Sequence, residues 1–240
     1  MRPDHRKVNQ LRPVSYILDY IDYPQGSVLI SQGRTRVLCN VSIEDGVPKW
    51  MLSQNNQGGW LTAEYSMLPG STHSRTPREV DGFSGRTQEI RRLIGRSLRA
   101  GLNLDLLGHK TITIDCDVLQ ADGGTRTASI TGGYVALTIA LDKFISQGLL
   151  PRCVIKDAVA AVSVGVVNNE YLLDLSYQED STAQADMNVV MTAGGDLIEV
   201  QCTAEKTTIP RKEFNHLLDL ASEGISELLT TQKKALKERN

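Results

Sequence analysis

Aromatic side chains are scarce in this chain, with three Phe, seven Tyr and two Trp among 240 residues. Extensive stacking of nucleic-acid bases is therefore not expected. The four cysteines, Cys39, Cys116, Cys153 and Cys202, lie far apart and form no CxxC pair. Neither a disulfide framework nor a structural zinc site is supported. Long apolar runs are also missing. The longest stretch without a charge, Thr127–Leu141, has 15 residues, short of the ~20 that a membrane helix needs. Residues 1–7 are polar and charged, with no apolar core of a signal peptide. These absences predict a soluble, cytoplasmic protein without membrane association.

Positive charge is absent from one segment and concentrated in another. Gly165 to Glu205 contains eight acids and no Lys or Arg, whereas residues 71–100 carry seven arginines against three acids. The first composition suits a divalent cation and the second a polyanion, although both also suit solvated faces of ordinary elements. Hydrophobic content of 40% and charged content of 22% are those of a folded globular chain.

The pattern predicts β structure over Val14–Asp22, Ser27–Ser31 and Arg36–Ile43, separated by turn signals around Gly26 and Gly33. Lys49–Trp60 reads as a loop, Leu61–Met67 as a strand and Gly70–Ser84 as an exposed, mobile loop. Ile90, Leu93, Ile94 and Leu98 have helical spacing within Thr87–Ala100. Lys110–Leu119 alternates as a strand, and a helix is expected over Thr127–Ser146. The second half predicts strands at Ala158–Val167 and Tyr171–Ser176, then an acidic connection. A hairpin follows at Met187–Thr192 and Leu197–Thr203, and a helix over Glu213–Lys237 closes the chain. Sheets followed by helices, twice over, imply an α+β fold with an internal structural duplication, organised as a single domain over 1–240.

Three segments could carry chemistry. In Asp122-Gly123-Gly124-Thr125-Arg126-Thr127 a strand leads through paired glycines into a helix start, where free N–H groups and the dipole favour an anion. A glycine turn with a threonine cap explains much of that string but not Arg126, a cation that opposes the dipole unless an anion is present. Arg86 stands at another helix start, and the two arginines could hold one phosphate; a plain surface arginine beside a capping Thr87 is the alternative. In the acidic segment, Asp180 and Asp186 could hold Mg²⁺. On a regular helix, however, a spacing of six turns them by about 600° onto different faces. They converge only if a short helix or turn leads back into the strand at Met187; otherwise this is a solvated acidic loop. Arg75 and Arg78 in Gly70–Arg78 could track an RNA backbone without reading sequence. His5, His73, His109 and His216 have no ligand spacing.

Asn9-Gln10-Leu11-Arg12-Pro13, Leu61-Thr62-Ala63-Glu64-Tyr65, Arg86-Thr87-Gln88-Glu89-Ile90, the long run Asp115–Gly132, Glu179-Asp180-Ser181 and Asp186–Thr192 together resemble the bacterial ribonuclease PH family over nearly the whole chain. The resemblance implies a ribosomal-protein-S5-like duplicated α+β fold. It implies a homohexameric ring, a trimer of dimers, that trims the 3′ ends of tRNA precursors. In the implied reaction inorganic phosphate attacks the terminal linkage and releases a nucleoside diphosphate, and the reverse reaction adds nucleotides. Arg86, Gly124, Thr125 and Arg126 match the family's phosphate site, Asp180 and Asp186 its metal-binding catalytic acids, and Arg75 and Arg78 its RNA-binding loop. Asp115, Asp117 and Asp122 are weaker candidates for supporting roles and are expected to be structural. Gly70, Cys202, Lys206 and a longer loop at residues 54–59 depart from the family pattern. A catalytically silent ring subunit and a small-molecule kinase of the same fold superfamily are the rival readings; retention of Arg86, Asp180 and Asp186 disfavours the first and the basic loop the second.

Overall fold

The computed structural model describes residues 2–53, 58–204 and 208–239. Residues 54–57 of the 54–59 loop and Lys206 therefore lie outside the described residues. Among the described residues nine strands form two sheets. The first has strands β1 (Val14–Leu18), β2 (Gly26–Gln32), β3 (Thr35–Asp45), β4 (Trp60–Met67) and β5 (Lys110–Gln120) in the order β1-β2-β3-β5-β4. The second has β6 (Val159–Val167), β7 (Glu170–Leu173), β8 (Ala185–Thr192) and β9 (Leu197–Ala204) in the order β7-β6-β8-β9. All pairs are antiparallel except β4–β5, which are parallel and joined through helix α2 (Gly85–Ala100). The two halves thus repeat a sheet-and-helix theme without repeating its strand connections.

Helix α3 (Thr125–Ser146) lies between the sheets and explains two sequence patterns. It is buried nearly all round, as a helix covered on opposite sides must be. Although long and apolar enough to cross a bilayer, it lies mostly inside the protein. The 15-residue count missed this because the helix extends through charged residues at both ends. Strand β6 is likewise buried at every position. Ala160, Val162 and Val164 join the cluster under the C-terminal helix α5 (Arg211–Arg239), whereas Val159 and Ala161 join the α3 cluster. A strand covered on both faces has no reason to alternate.

Several boundaries differ from the sequence reading for backbone reasons. The first strand stops at Leu18, because Asp19 takes φ of 49°. The seventh stops at Leu173, because buried Asp174 takes φ of 56°. Such left-handed non-glycine residues end a ladder without an obvious sequence signal. Lys49–Ser53 is a short helix, α1, that buries Met51 rather than a loop. The acidic connection contains another, α4 (Tyr177–Asp180). Helix α2 starts two residues early, because Ser84 rather than Thr87 caps it; Ser84 Oγ accepts from the Thr87 N–H at 3.2 Å.

Candidate active site

Residues from both halves line one cleft of about 730 Å³, among them Arg86, Gly124, Thr125, Arg126, Asp180 and Asp186. Each arrives by a different route. Strand β5 ends beside the start of α3, and between them Gly123 and Gly124 take φ of 77° and 63°. A Cβ on Gly123 would lie 2.5 Å from the Leu175 carbonyl oxygen. Any side chain there would force the halves apart. The turn's carbonyls are held away from the cleft. Arg12 donates to the Asp122 and Gly123 carbonyl oxygens, and Thr35 Oγ1 donates to Gly123 at 2.7 Å. The opening N–H groups of α3, which lack intrahelical acceptors, form the anion-favouring end of the site.

The hydroxyls of that turn divide. Thr125 Oγ1 pairs with the Tyr65 hydroxyl at 2.9 Å. Burial pushes the Tyr65 phenol above its usual range, so it stays protonated and able to donate. Thr127 instead donates back to the Gly124 carbonyl and is buried, which removes it from the cleft. Arg126 donates to Glu89 and Gln201. The anion demanded by a cation at a helix start is thus supplied in part by the protein itself.

The acidic segment is more structural than its composition suggests. Arg2 grips Glu179 with two hydrogen bonds of 2.7 and 2.9 Å, both residues being buried. Glu179 also closes a capping box with Ser176 at the start of α4. Arg12 pairs with buried Asp174 at 2.6 Å, and Arg6 lies 3.8 Å from it. Burial alone would raise the Glu179 carboxyl, but Arg2 and Ser176 outweigh it and hold the group below its usual range. Its contribution to stability is therefore present above ordinary carboxylate pKa values and is lost as pH falls through the lower folded value. Burial would likewise lower the Arg12 guanidinium, and Asp174 reverses that.

These N-terminal arginines fix α4, whose last residue is Asp180. A turn over residues 181–184 then leads into β8, where Asp186 is the second residue. This is the short helix and return that convergence of the two acids requires. Among the described residues no three His, Cys, Asp or Glu gather as a metal cluster. Two carboxylates fit an ion such as Mg²⁺ that keeps most of its water, and do not fit a zinc-type site. Arg75 and Arg78 are exposed and do not line the cleft, but Thr72 and Thr76 of the same loop do. The loop's first part is pinned, with Ala121 N–H donating to the Ser71 carbonyl at 2.8 Å. Asp115 and Asp117 lie on β5 outside the lining, and the Asp122 carbonyl serves Arg12. Arg2, Glu179, Glu89 and Gln201 receive no role from the sequence, although Glu89 and Glu179 stand in motifs that carry the resemblance. Only Ser176-x-x-Glu179, a capping-box string, was a readable signal.

The sequence matches the family described as 3′ exoribonuclease family, domain 1, over residues 10–141, and domain 2 of that family over residues 157–224. It is 56% identical over 235 residues to Ribonuclease PH of Crocosphaera subtropica, covering 98% of this chain and 97% of that protein. It is 52% identical over 239 residues to Ribonuclease PH of Bacillus subtilis, covering 98% and 97%. Among solved structures, rice Rrp46 superposes with a TM-score of 0.80 at 20% identity, covering 98% of this chain and all of that one. A chain of the Archaeoglobus fulgidus exosome with RNA bound to the active site gives 0.79 at 21% identity, covering 95% and 91%. The structural likenesses speak to the fold alone.

Proposed function

The chain belongs to the 3′ exoribonuclease family, as a phosphorolytic enzyme of the ribonuclease PH type, and from that premise we propose how its cleft divides the work of trimming tRNA precursors. The observation that carries the assignment of roles is the convergence of Arg86, the Gly124–Arg126 helix start, Asp180 and Asp186 on one cleft. Both halves line it, so residues 1–240 act as one unit.

Arg86, Thr125 and Arg126, with the opening N–H groups of α3, bind inorganic phosphate and offset its repulsion from the RNA phosphate. With Tyr65 as donor in its pair with Thr125 Oγ1, the threonine proton is free for a phosphate oxygen. Asp180 and Asp186 would hold Mg²⁺, which would neutralise charge on the scissile phosphate and leaving oxygen. The nucleophile is phosphate itself, so no protein side chain forms a covalent intermediate. Cytoplasmic location follows from the tRNA-processing role. A homohexameric ring is supported by the family resemblance and by exposed Ile17, Tyr20 and Tyr23 near the β1 edge, apolar surface suited to a second copy.

Arg86→Ala tests the phosphate assignment. Loss of a charged hydrogen-bond partner should cost about 1.5–3 kcal/mol, roughly 10- to 150-fold in kcat/KM for phosphate. RNA affinity measured without phosphate should change far less. An unaltered phosphate saturation curve would make Arg86 structural.

The loop assignment has its own test. Each phosphate contact to a single strand adds roughly −0.7 to the slope of log affinity against log salt. Arg75→Ala and Arg78→Ala should each flatten that slope by about 0.7. Gly70→Arg should steepen it similarly, and the site has room, since a Cβ at Gly70 would meet nothing within 4 Å. Wild-type slopes in all three variants would leave the loop a solvated basic segment.

A further inference from the structure

Arg126 is held from behind. Its Nη1 donates to Gln201 Oε1 at 2.9 Å and to Glu89 Oε1 at 3.4 Å. Gln201 Nε2 in turn donates to Glu89 Oε1 at 2.9 Å and to Glu199 Oε1 at 3.1 Å. Helix α2, which carries Arg86, is thereby tied through Glu89 to the start of α3 and to β9. Arg126 and Gln201 line the catalytic cleft, whereas Glu89 is absent from its lining and faces a neighbouring groove, shared by Gln201, with Gln88, Arg92 and Arg96. The carboxylate thus meets the guanidinium on the side away from the cleft. Both contacts use Nη1, and Arg126 Nε and Nη2 have no hydrogen-bond partner among the described residues.

We propose that Glu89 and Gln201 are positioning residues that lock Arg126 by one nitrogen so that its other donors face inorganic phosphate. The inference rests on the phosphate role given to Arg126 above. Its physical need is clear. An arginine beside a helix N-terminus is repelled by the dipole and has a long flexible stem, so an unheld guanidinium would swing into solvent. A carboxylate placed behind it counters that tendency without occupying the anion's place.

The test is a double-mutant cycle on full-length protein. It is read by calorimetric titration with inorganic phosphate alone and by nucleoside diphosphate release. Glu89→Gln keeps shape but removes the charge. It should weaken phosphate binding and raise the phosphate KM by roughly 5- to 20-fold, within the range of coupling between contacting residues. Its kcat at saturating phosphate should stay within about twofold of wild type, a split that a merely structural lesion would not give. In an Arg126→Ala background Glu89→Gln should have no further effect on phosphate affinity. Unchanged or tighter phosphate binding in Glu89→Gln would overturn the proposal, making the carboxylate a bystander or a competitor. An equal loss in the Arg126→Ala background would also overturn it. Because titration requires no turnover, a wild-type protein that binds phosphate yet releases no diphosphate would overturn the functional reading alone. The Glu89 comparison would still decide this one.

Discussion

Asp186→Asn is expected to lose phosphorolysis and the reverse synthesis together, by on the order of 100- to 1000-fold each. The substitution keeps the side chain's size and leaves an amide oxygen, so β8 should retain its pairing with β6 and β9. What it removes is charge, from one of the two carboxylates that line the cleft among the described residues. Asp180→Asn should behave alike, because α4 and the following turn bring that acid to the same cleft. Groups that act as a unit are non-additive, so the double variant should lose little more than either single one. Initial rates of diphosphate release and of primer extension, with and without chelator, check this. Fully additive losses would place the acids in separate sites, and full activity in chelator would remove the metal.

Asp174→Ala should be strongly destabilising although it lies outside the apolar core. It leaves Arg12 buried without its charge partner, with Arg6 nearby, and breaking a buried pair from one side costs about 3–5 kcal/mol. For a chain of this length that corresponds to a fall of roughly 6–20 °C in Tm. The consequence reaches the cleft, because Arg12 also holds the Asp122 and Gly123 carbonyls behind the phosphate turn. Residual folded protein should therefore also show a raised KM for phosphate. Thermal unfolding followed by circular dichroism gives the first number. A Tm within about 2 °C of wild type would mean that the pair contributes little.

Where burial was one-sided, the sequence was legible. The alternation of Ile112, Ile114, Cys116 and Val118 on β5 and the spacing of Ile90, Leu93, Ile94 and Leu98 on α2 both match the buried residues observed. The anion-favouring turn at Gly123–Arg126 was readable because glycine, helix start and arginine are local signals. What could not be read was long-range. Arg2 and Glu179 stand 177 residues apart, and counting acids between Gly165 and Glu205 treats Asp174, Glu179 and Asp186 as equals. The fold gives two of them to N-terminal arginines and leaves Asp186 in the cleft with Asp180. A cation at the α3 start calls for an anion, and the fold sets Glu89, on another helix, against Arg126. The parallel pairing of β4 with β5 also had no local signature, since it depends on where α2 packs.

The most direct test of the central claim is product identity. Wild-type protein is incubated with an RNA bearing a labelled 3′-terminal nucleotide, with and without inorganic phosphate, and the released label is resolved by chromatography. The account predicts nucleoside diphosphate as the product, released only when phosphate is present and in proportion to shortening from the 3′ end. Release of nucleoside monophosphate at an equal rate in phosphate-free buffer would contradict it, because water rather than phosphate would then be the nucleophile.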